Sequence, residues 1–370
     1  MDNSERKPLR LIHSLAPIRI CDNGGWTDTW FAGHGRVLNL AAYPCSEAHI
    51  EVYPREHGRA SCAIHAENYG QTYAWDPTAG AWDRHPLLEA TISSAGIPED
   101  AAIHVSLYSE VPAGASTGTS ASLVVALIGA LDLLWHRQRT PHEVAYAAHH
   151  VETGILGQQS GIQDQLCAAY GGISYIEILR YPEAVVTTLH LPDPVWWELE
   201  RRLALIYLGR PHHSSDVHKR VIRRLEAKGS AARPLDALRE AAGLARDALV
   251  AGDLPAFGRA MIQNTEAQRL LHPDLVSAEA QRVIDIARAY GAAGWKVNGA
   301  GGDGGSLTLL CGTDSAARRA MIRQIEGDNP LFRSIPLQLS RHGLRVWETP
   351  SQGRQAPVSW LVRKPCLIYP

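Results

Sequence analysis

Apolar and polar positions alternate in short runs between Leu9 and Tyr53, where LRLIH, RVLNLAAY and AHIEVY are separated by Gly, Asp and Asn, a pattern that predicts strands joined by turns. Residues 57–85 are polar and rich in loop formers. IHVSLYSEVP alternates again as a strand, and the nearly unbroken apolar run from Thr117 to His136 suits a buried helix. Thr140 and Pro141 form an N-cap and first-turn pair for a helix whose apolar face runs through Val144, Ala147, Ala148, Val151 and Ile155 and ends near Gly154 and Gly157. Another helix is expected from Ser160 to Gly171-Gly172. After ISYIEI the pattern gives a strand at RLALIYLG, basic helices from Ser214 to Arg269 and a helix at VSAEAQRVIDIARAYGA. SLTLLC reads as a strand, SAARRAMIRQIEG as a helix and LRVWE as a last strand. Pro and Asp concentrate in LPDPVWW, which sets the expected division into an N-terminal domain, 1–190, and a C-terminal domain, 191–370.

Composition narrows the classes. At 370 residues the chain can bury two cores, and its 45% apolar content, 20% charged content and net charge of -2 exclude a chain built to track nucleic acid. The first thirty residues hold no apolar signal region and no run reaches bilayer length, so a cytoplasmic protein without a membrane partner is expected. The six cysteines form no C-x-x-C pair, which argues against a zinc site or a disulfide framework. Among 17 histidines, the adjacent pairs His149-His150 and His212-His213 cannot turn both rings to one face.

The chemistry concentrates in PAGASTGTSAS, from Pro112 to Ser122, which follows a predicted strand and opens the long apolar helix. Small residues let backbone N–H groups approach a phosphate, and the helix N-terminus adds partial positive charge. No G-x-x-x-x-G-K-[ST] loop is present. A second glycine cluster, KVNGAGGDGGSLTLLC, satisfies G-x-G-x-x-G at Gly299, Gly301 and Gly304, but that dinucleotide fingerprint must open a helix and a strand is expected here.

PAGASTGTSAS resembles the phosphate-binding motif of the GHMP kinases, with Pro112, Gly118, Ser120 and Ala121 matching, Ser116 standing where the family usually has glycine and Thr117 where it has leucine. APIRICDNGGWTDTW, from Ala16 to Trp30, resembles the family's first motif, a basic residue followed nine positions on by Thr-Asp. KVNGAGGDGGS is similar to its C-terminal glycine motif, and Q-D-Q-x-x-A-A-x-G-G around Asp164 to the helix of its sugar kinases. The resemblance implies an α+β, two-domain fold: an N-terminal mixed sheet with helices, like the second domain of ribosomal protein S5, and a C-terminal ferredoxin-like domain. It implies an ATP-dependent kinase with Mg²⁺, in which Gly114, Ser116, Thr117, Gly118 and Thr119, with Pro112, Ser120 and Ala121, hold ATP, and Ser120 and Glu152 hold the metal. Asp164 and Arg19 are then catalytic, Asp164 as base or positioning group and Arg19 at the transferred phosphate. Trp26, Thr27, Asp28, Gly172, Asn298, Gly301, Gly302 and Asp303 are implied on the acceptor side, Asp28 accepting hydrogen bonds from sugar hydroxyls.

GGWTDT is closer to fucokinase-like members than to the GGGTD form of heptose 7-phosphate kinases, and both groups phosphorylate an anomeric hydroxyl. Trp26 offers an apolar wall to a 6-deoxy sugar, whereas Arg210, Lys219 and Arg220 are available for a sugar phosphate, so the acceptor stays open between the two. A silent sugar- and ATP-binding sensor and a dehydrogenase using the 299–304 glycines are the rival readings, and the expected assembly is a monomer or homodimer.

Overall fold

The computed structural model describes residues 7–56, 60–78, 80–210, 216–228, 233–349 and 367–368, so the expectations at His212-His213, Ser214 and Cys366 lie outside the described residues. The alternation after Leu9 builds two long antiparallel strands, β1 (Arg10–Asn23) and β2 (Gly35–Pro54), paired from Arg10 opposite Val52, with a bulge between Pro17 and Ile18. RVLNLAAY and AHIEVY are therefore one strand, not two. The following polar segment, expected as loop, contains β3 (Cys62–Ala66) and β4 (Gln71–Trp75), because Cys62, Ile64 and Ala66 alternate inward on a strand too short to stand out.

After α1 (Pro86–Ala95) and β5 (Ala101–Ser109), α2 (Thr119–Leu134) runs through the core, nearly all its side chains buried. Then follow α3 (Pro141–His150), α4 (Gln163–Tyr170), β6 (Ile173–Arg180) and β7 (Glu183–Leu189). The two halves of β2 take different partners, β6 along Gly35–Leu40 and β5 along Ser46–Pro54. That change of partner explains a 20-residue strand whose apolar pattern breaks in the middle.

LPDPVWW, where the domain boundary was expected, begins α5 (Asp193–Arg202), with Pro in the first turn and Trp196, Leu199 and Arg202 facing inward. The second unit runs β8 (Leu203–Tyr207), α6 (Asp216–Lys228), α7 (Arg233–Val250), α8 (Leu254–Leu271), α9 (Ala278–Ala289), β9 (Gly294–Val297), β10 (Ser306–Leu310), α10 (Ser315–Asp328) and β11 (Arg333–Ile335). Its antiparallel sheet has the order β11-β8-β10-β9, the arrangement of a ferredoxin-like βαββαβ fold. SLTLLC is strand β10, so the 299–304 glycines do not open a helix and the dinucleotide-binding reading falls.

The chain then returns to the first sheet. β12 (Gln338–Leu339) pairs with β2, and β13 (Arg345–Thr349) pairs with β1 and in turn with β14 (Leu367–Ile368). β12 and β13 thus add strands from the 191–370 stretch to the first sheet, where β13 covers the edge of β1 opposite β2. Leu344 and Val346 also pack against Gly129 of α2, which has no room for a Cβ. Among the described residues, no helix is long and apolar enough to cross a membrane.

Candidate active site

Arg19 lies on the fully buried end of β1, between Ile18 and Ile20, and is 5% exposed. Its Nε donates to Asp164 Oδ1 at 2.8 Å and its Nη2 to Oδ2 at 3.3 Å, a two-pronged ion pair, while Nη1 donates to the Ser116 carbonyl. Burial opposes the guanidinium charge, but Asp164 and Asp22 outweigh it and hold its pKa above the ordinary value. Asp164 begins α4, and the loop that precedes α2 passes directly over the pair. Gly118 has φ +68° there, and a Cβ on it would stand 3.1 Å from Asp164 Cγ and 3.2 Å from Arg19 Cγ. A larger residue would be strained at this φ and crowded against the ion pair. Ser116, at the position where a glycine was expected, adopts φ +58°, which costs a residue with a Cβ roughly 1–2 kcal/mol.

Two cavities open on either side of this pair. One, of about 300 Å³, is lined by Gly114 to Ala121, Glu152 and Gln165; the other, of about 180 Å³, by Trp26, Asp28, Trp30, Phe31, Gly161, Gln163 and Ile222 among others. Arg19, Asp164, Gly299 and Ala300 line both. The first cavity contains the start of α2, capped by no side chain, so its leading N–H groups are left for an anion. The Ser116 hydroxyl is buried without a partner in the same place.

Glu152 also faces the first cavity. The expected continuous helix through Ile155 instead changes at Val151 to a π-turn, Val151–Ile155, and this wider turn carries Glu152. The carboxyl is 6% exposed, and burial, with Asp164 adding repulsion, pushes its pKa up to about 7. Among the described residues no group of three or more His, Cys, Asp or Glu is placed to hold a metal. A buried carboxylate and the Ser120 hydroxyl on one cavity wall fit a cation that takes its other ligands from phosphate and water, as Mg²⁺ does.

Asp28 faces the second cavity at 2% exposure, its Oδ2 accepting from the Gln163 backbone N–H at 3.1 Å and its Oδ1 from Gln163 Nε2 at 3.3 Å. Burial raises its pKa to about 6, with Asp164 adding to the rise. Gly161 makes this approach possible, since a Cβ there would sit 2.0 Å from Asp28 Oδ2. Trp26 lines the same cavity, held at φ +79° in the turn that precedes Asp28, a backbone region where strain in a bulky residue marks a constrained site.

Several expected acceptor residues stand elsewhere. Thr27 is fully buried, its hydroxyl donating to the Gly24 carbonyl at 2.8 Å and accepting from the Arg36 N–H, so it shapes the turn. Asn298 ties the units together: its Oδ1 accepts from Cys21 N–H and Thr308 Oγ1, and its Nδ2 donates to Ser306. Gly302 donates to the Leu275 carbonyl, Gly301 packs against that same carbonyl, and Asp303 is exposed outside both cavities. Gly172 donates to the Ser340 carbonyl, far from the ion pair in the fold, because it anchors the returning C-terminal segment. Pro112 is exposed ahead of the loop and lines neither cavity. Arg210, Lys219 and Arg220 also line neither.

Other residues went unforeseen. Asp22 and Lys296 are fully buried and paired at 3.2 Å, and Asp22 accepts the Gly299 N–H with both oxygens, 3.0 and 3.1 Å away. Burial raises the Asp22 pKa and lowers that of Lys296, yet Lys296 and Arg19 together hold Asp22 below the usual carboxylate range. With Asp22 3.7 Å from Arg19, this pair links β9 of the second sheet to the Arg19–Asp164 junction. Trp30 and Phe31, Gln163 and Ile222 were also missed; two successive aromatics directly after TDT were the available signal for the first two.

The family model for the GHMP kinases N terminal domain matches residues 86–172, and that for the GHMP kinases C terminal matches residues 245–325. D-glycero-alpha-D-manno-heptose 7-phosphate kinase of Campylobacter jejuni is 26% identical over 240 residues, 65% of this chain and 69% of that protein. L-fucokinase/L-fucose-1-P guanylyltransferase of Bacteroides fragilis is 25% identical over 376 residues; the match takes in 91% of this chain but spans only 38% of that longer protein. Among solved structures, a D-glycero-D-manno-heptose 1-phosphate kinase from Bacteroides thetaiotaomicron superposes with a TM-score of 0.70 at 22% identity, covering 91% of this chain and 98% of that one. Galactokinase of Lactococcus lactis complexed with galactose gives 0.70 at 17% identity, with 92% and 95% covered. At these identities the two structures bear on the fold alone.

Proposed function

We propose that this chain, which matches the family models for both GHMP kinase domains, is an ATP-dependent sugar kinase that transfers the γ-phosphoryl group to a sugar hydroxyl, the anomeric one, as the name of the fucose-1-P relative suggests. The observation that carries this reading is the Arg19–Asp164 pair standing on the wall shared by an anion-suited cavity and a second, aromatic and acidic one. ATP lies with its phosphates along Gly114–Ala121 and its γ-phosphoryl group at the shared wall; the sugar lies in the second cavity, with hydroxyls donating to Asp28. The acceptor oxygen attacks phosphorus as the bond to the β-phosphate oxygen breaks, its proton passes to the Asp164 carboxylate, and ADP leaves. Arg19 places its charge beside the phosphoryl group and fixes the Asp164 carboxylate in one orientation. Mg²⁺ held by Ser120 and Glu152 would neutralise phosphate charge when bound.

The loop assignment is tested with Gly118→Asp, which sets a carboxylate against Asp164 where a Cβ alone already stands 3.1 Å from its Cγ. Calorimetry should find MgATP binding lost. Unchanged affinity would remove the loop from nucleotide binding.

A further inference from the structure

On the kinase reading just given, we infer that the acceptor is an uncharged monosaccharide with one apolar face, and that sugars carrying a phosphate are rejected. The second cavity is built of two unlike walls. One is aromatic: Trp30 and Phe31 meet edge to face at 5.0 Å between centroids, Trp26 and Phe31 lie 6.3 Å apart, and Ile222 of α6 completes the wall. The Trp30 ring is fixed by a 2.8 Å bond from its Nε1 to Glu226. Such a surface takes the C–H face of a sugar ring or a methyl group.

The other wall offers acceptors. Asp28 and Asp164 present carboxylates, and the Oε1 of Gln163, a residue 7% exposed, is buried without a partner while its Nε2 is spent on Asp28. Hydroxyl groups donate to all three. A phosphate dianion has nothing to donate and needs cations. Among the described residues lining this cavity the one cation is Arg19, whose Nε and Nη2 are bonded to Asp164 and whose Nη1 is bonded to the Ser116 carbonyl. Three of its five N–H groups are spent there and the two that remain serve the transferred phosphoryl group on the reading above, so a second phosphate would meet the Asp28 and Asp164 carboxylates with no further cation among these residues, an arrangement that rejects a ligand more strongly than poor fit does.

The test is ATP consumption by the wild-type chain with neutral reducing sugars, 6-deoxyhexoses and heptoses included, each beside its terminally phosphorylated counterpart. The best neutral sugar should exceed its phosphate by about 100-fold or more in kcat/KM. A phosphorylated sugar as the better substrate overturns the inference and leaves the kinase reading intact. ATP turnover with neither kind overturns the kinase reading, and this inference with it. Two variants separate the walls. Trp30→Ala, a half-buried position, should raise the KM of the neutral sugar about tenfold with kcat little changed. Ile222→Lys puts a cation at the aromatic wall and should narrow the preference for the neutral sugar about tenfold; an unaltered ratio means that the cavity does not select on charge, and the inference fails.

Discussion

At the scale of the residue, the site holds two carboxyls whose protonation is displaced toward neutrality, Asp28 at about 6 and Glu152 at about 7, and in both burial is the leading cause. The sign follows from linkage. Between the unfolded pKa near 4 and these folded values the native state holds protons that the unfolded state has released, so the stability that these two groups contribute is full below about pH 4 and is lost as pH rises to 7. Each shift is worth roughly 3 kcal/mol, an upper figure because the groups are coupled through Asp164. On the proposed reading the ionised forms are the ones that would accept sugar hydroxyls and a divalent cation. The ligand-free protein should therefore lose melting temperature from pH 5 to 7.5, while the increase produced by MgATP grows over the same interval. Scanning calorimetry at several pH values with and without MgATP checks this, and Glu152→Gln should flatten the growth of the ligand effect.

Among the elements, the segment between β9 and β10 has the most to explain, since its Gly299 and Ala300 line both cavities and Gly299 is held by Asp22, itself paired with Lys296. Lys296→Met takes from the Asp22 carboxylate, at zero exposure, its nearest cation and leaves it Arg19 at 3.7 Å, which should cost about 3 kcal/mol, whereas Asp22→Asn combined with Lys296→Met should recover most of it. Denaturant unfolding of the two variants measures the difference; equal losses would mean that the pair is not coupled. The sequence made the anchors of this site legible wherever local chemistry was unusual. Gly114–Ala121, Arg19, Asp28, Glu152 and Asp164 each line one or both cavities, because small-residue loops and isolated charges beside apolar helices stand out locally. Asn298, Thr27, Gly172 and Asp303 looked like site residues because they share those motifs, yet which way a side chain turns depends on partners far along the chain, such as Cys21 for Asn298. Lys296 and Asp22 were invisible for the same reason: 274 positions separate them.

For the whole molecule, the return of β12 and β13 to the first sheet means that the N-terminal unit is not complete without the C-terminal end. The ferredoxin-like second unit was implied by the family resemblance, but no local pattern says that LRVWE pairs with β1 rather than with its sequence neighbours. A fragment ending at residue 190 should consequently fail to unfold cooperatively, exposing the β1 edge and the face of α2 covered by Leu344 and Val346, whereas a chain ending at 349 should melt as one transition. The site itself spans both units, with Arg19 and Asp164 from one and Gly299 and Ala300 from the other closing the wall between two cavities. That shared wall as the place of phosphoryl transfer is tested most directly with Asp164→Asn, which keeps the shape of the side chain and removes its basicity. With whichever sugar is turned over, kcat should fall by about 10²- to 10⁴-fold while the sugar dissociation constant measured by calorimetry stays within about threefold. An Asp164→Asn protein that keeps more than about half of the wild-type kcat would contradict the assignment.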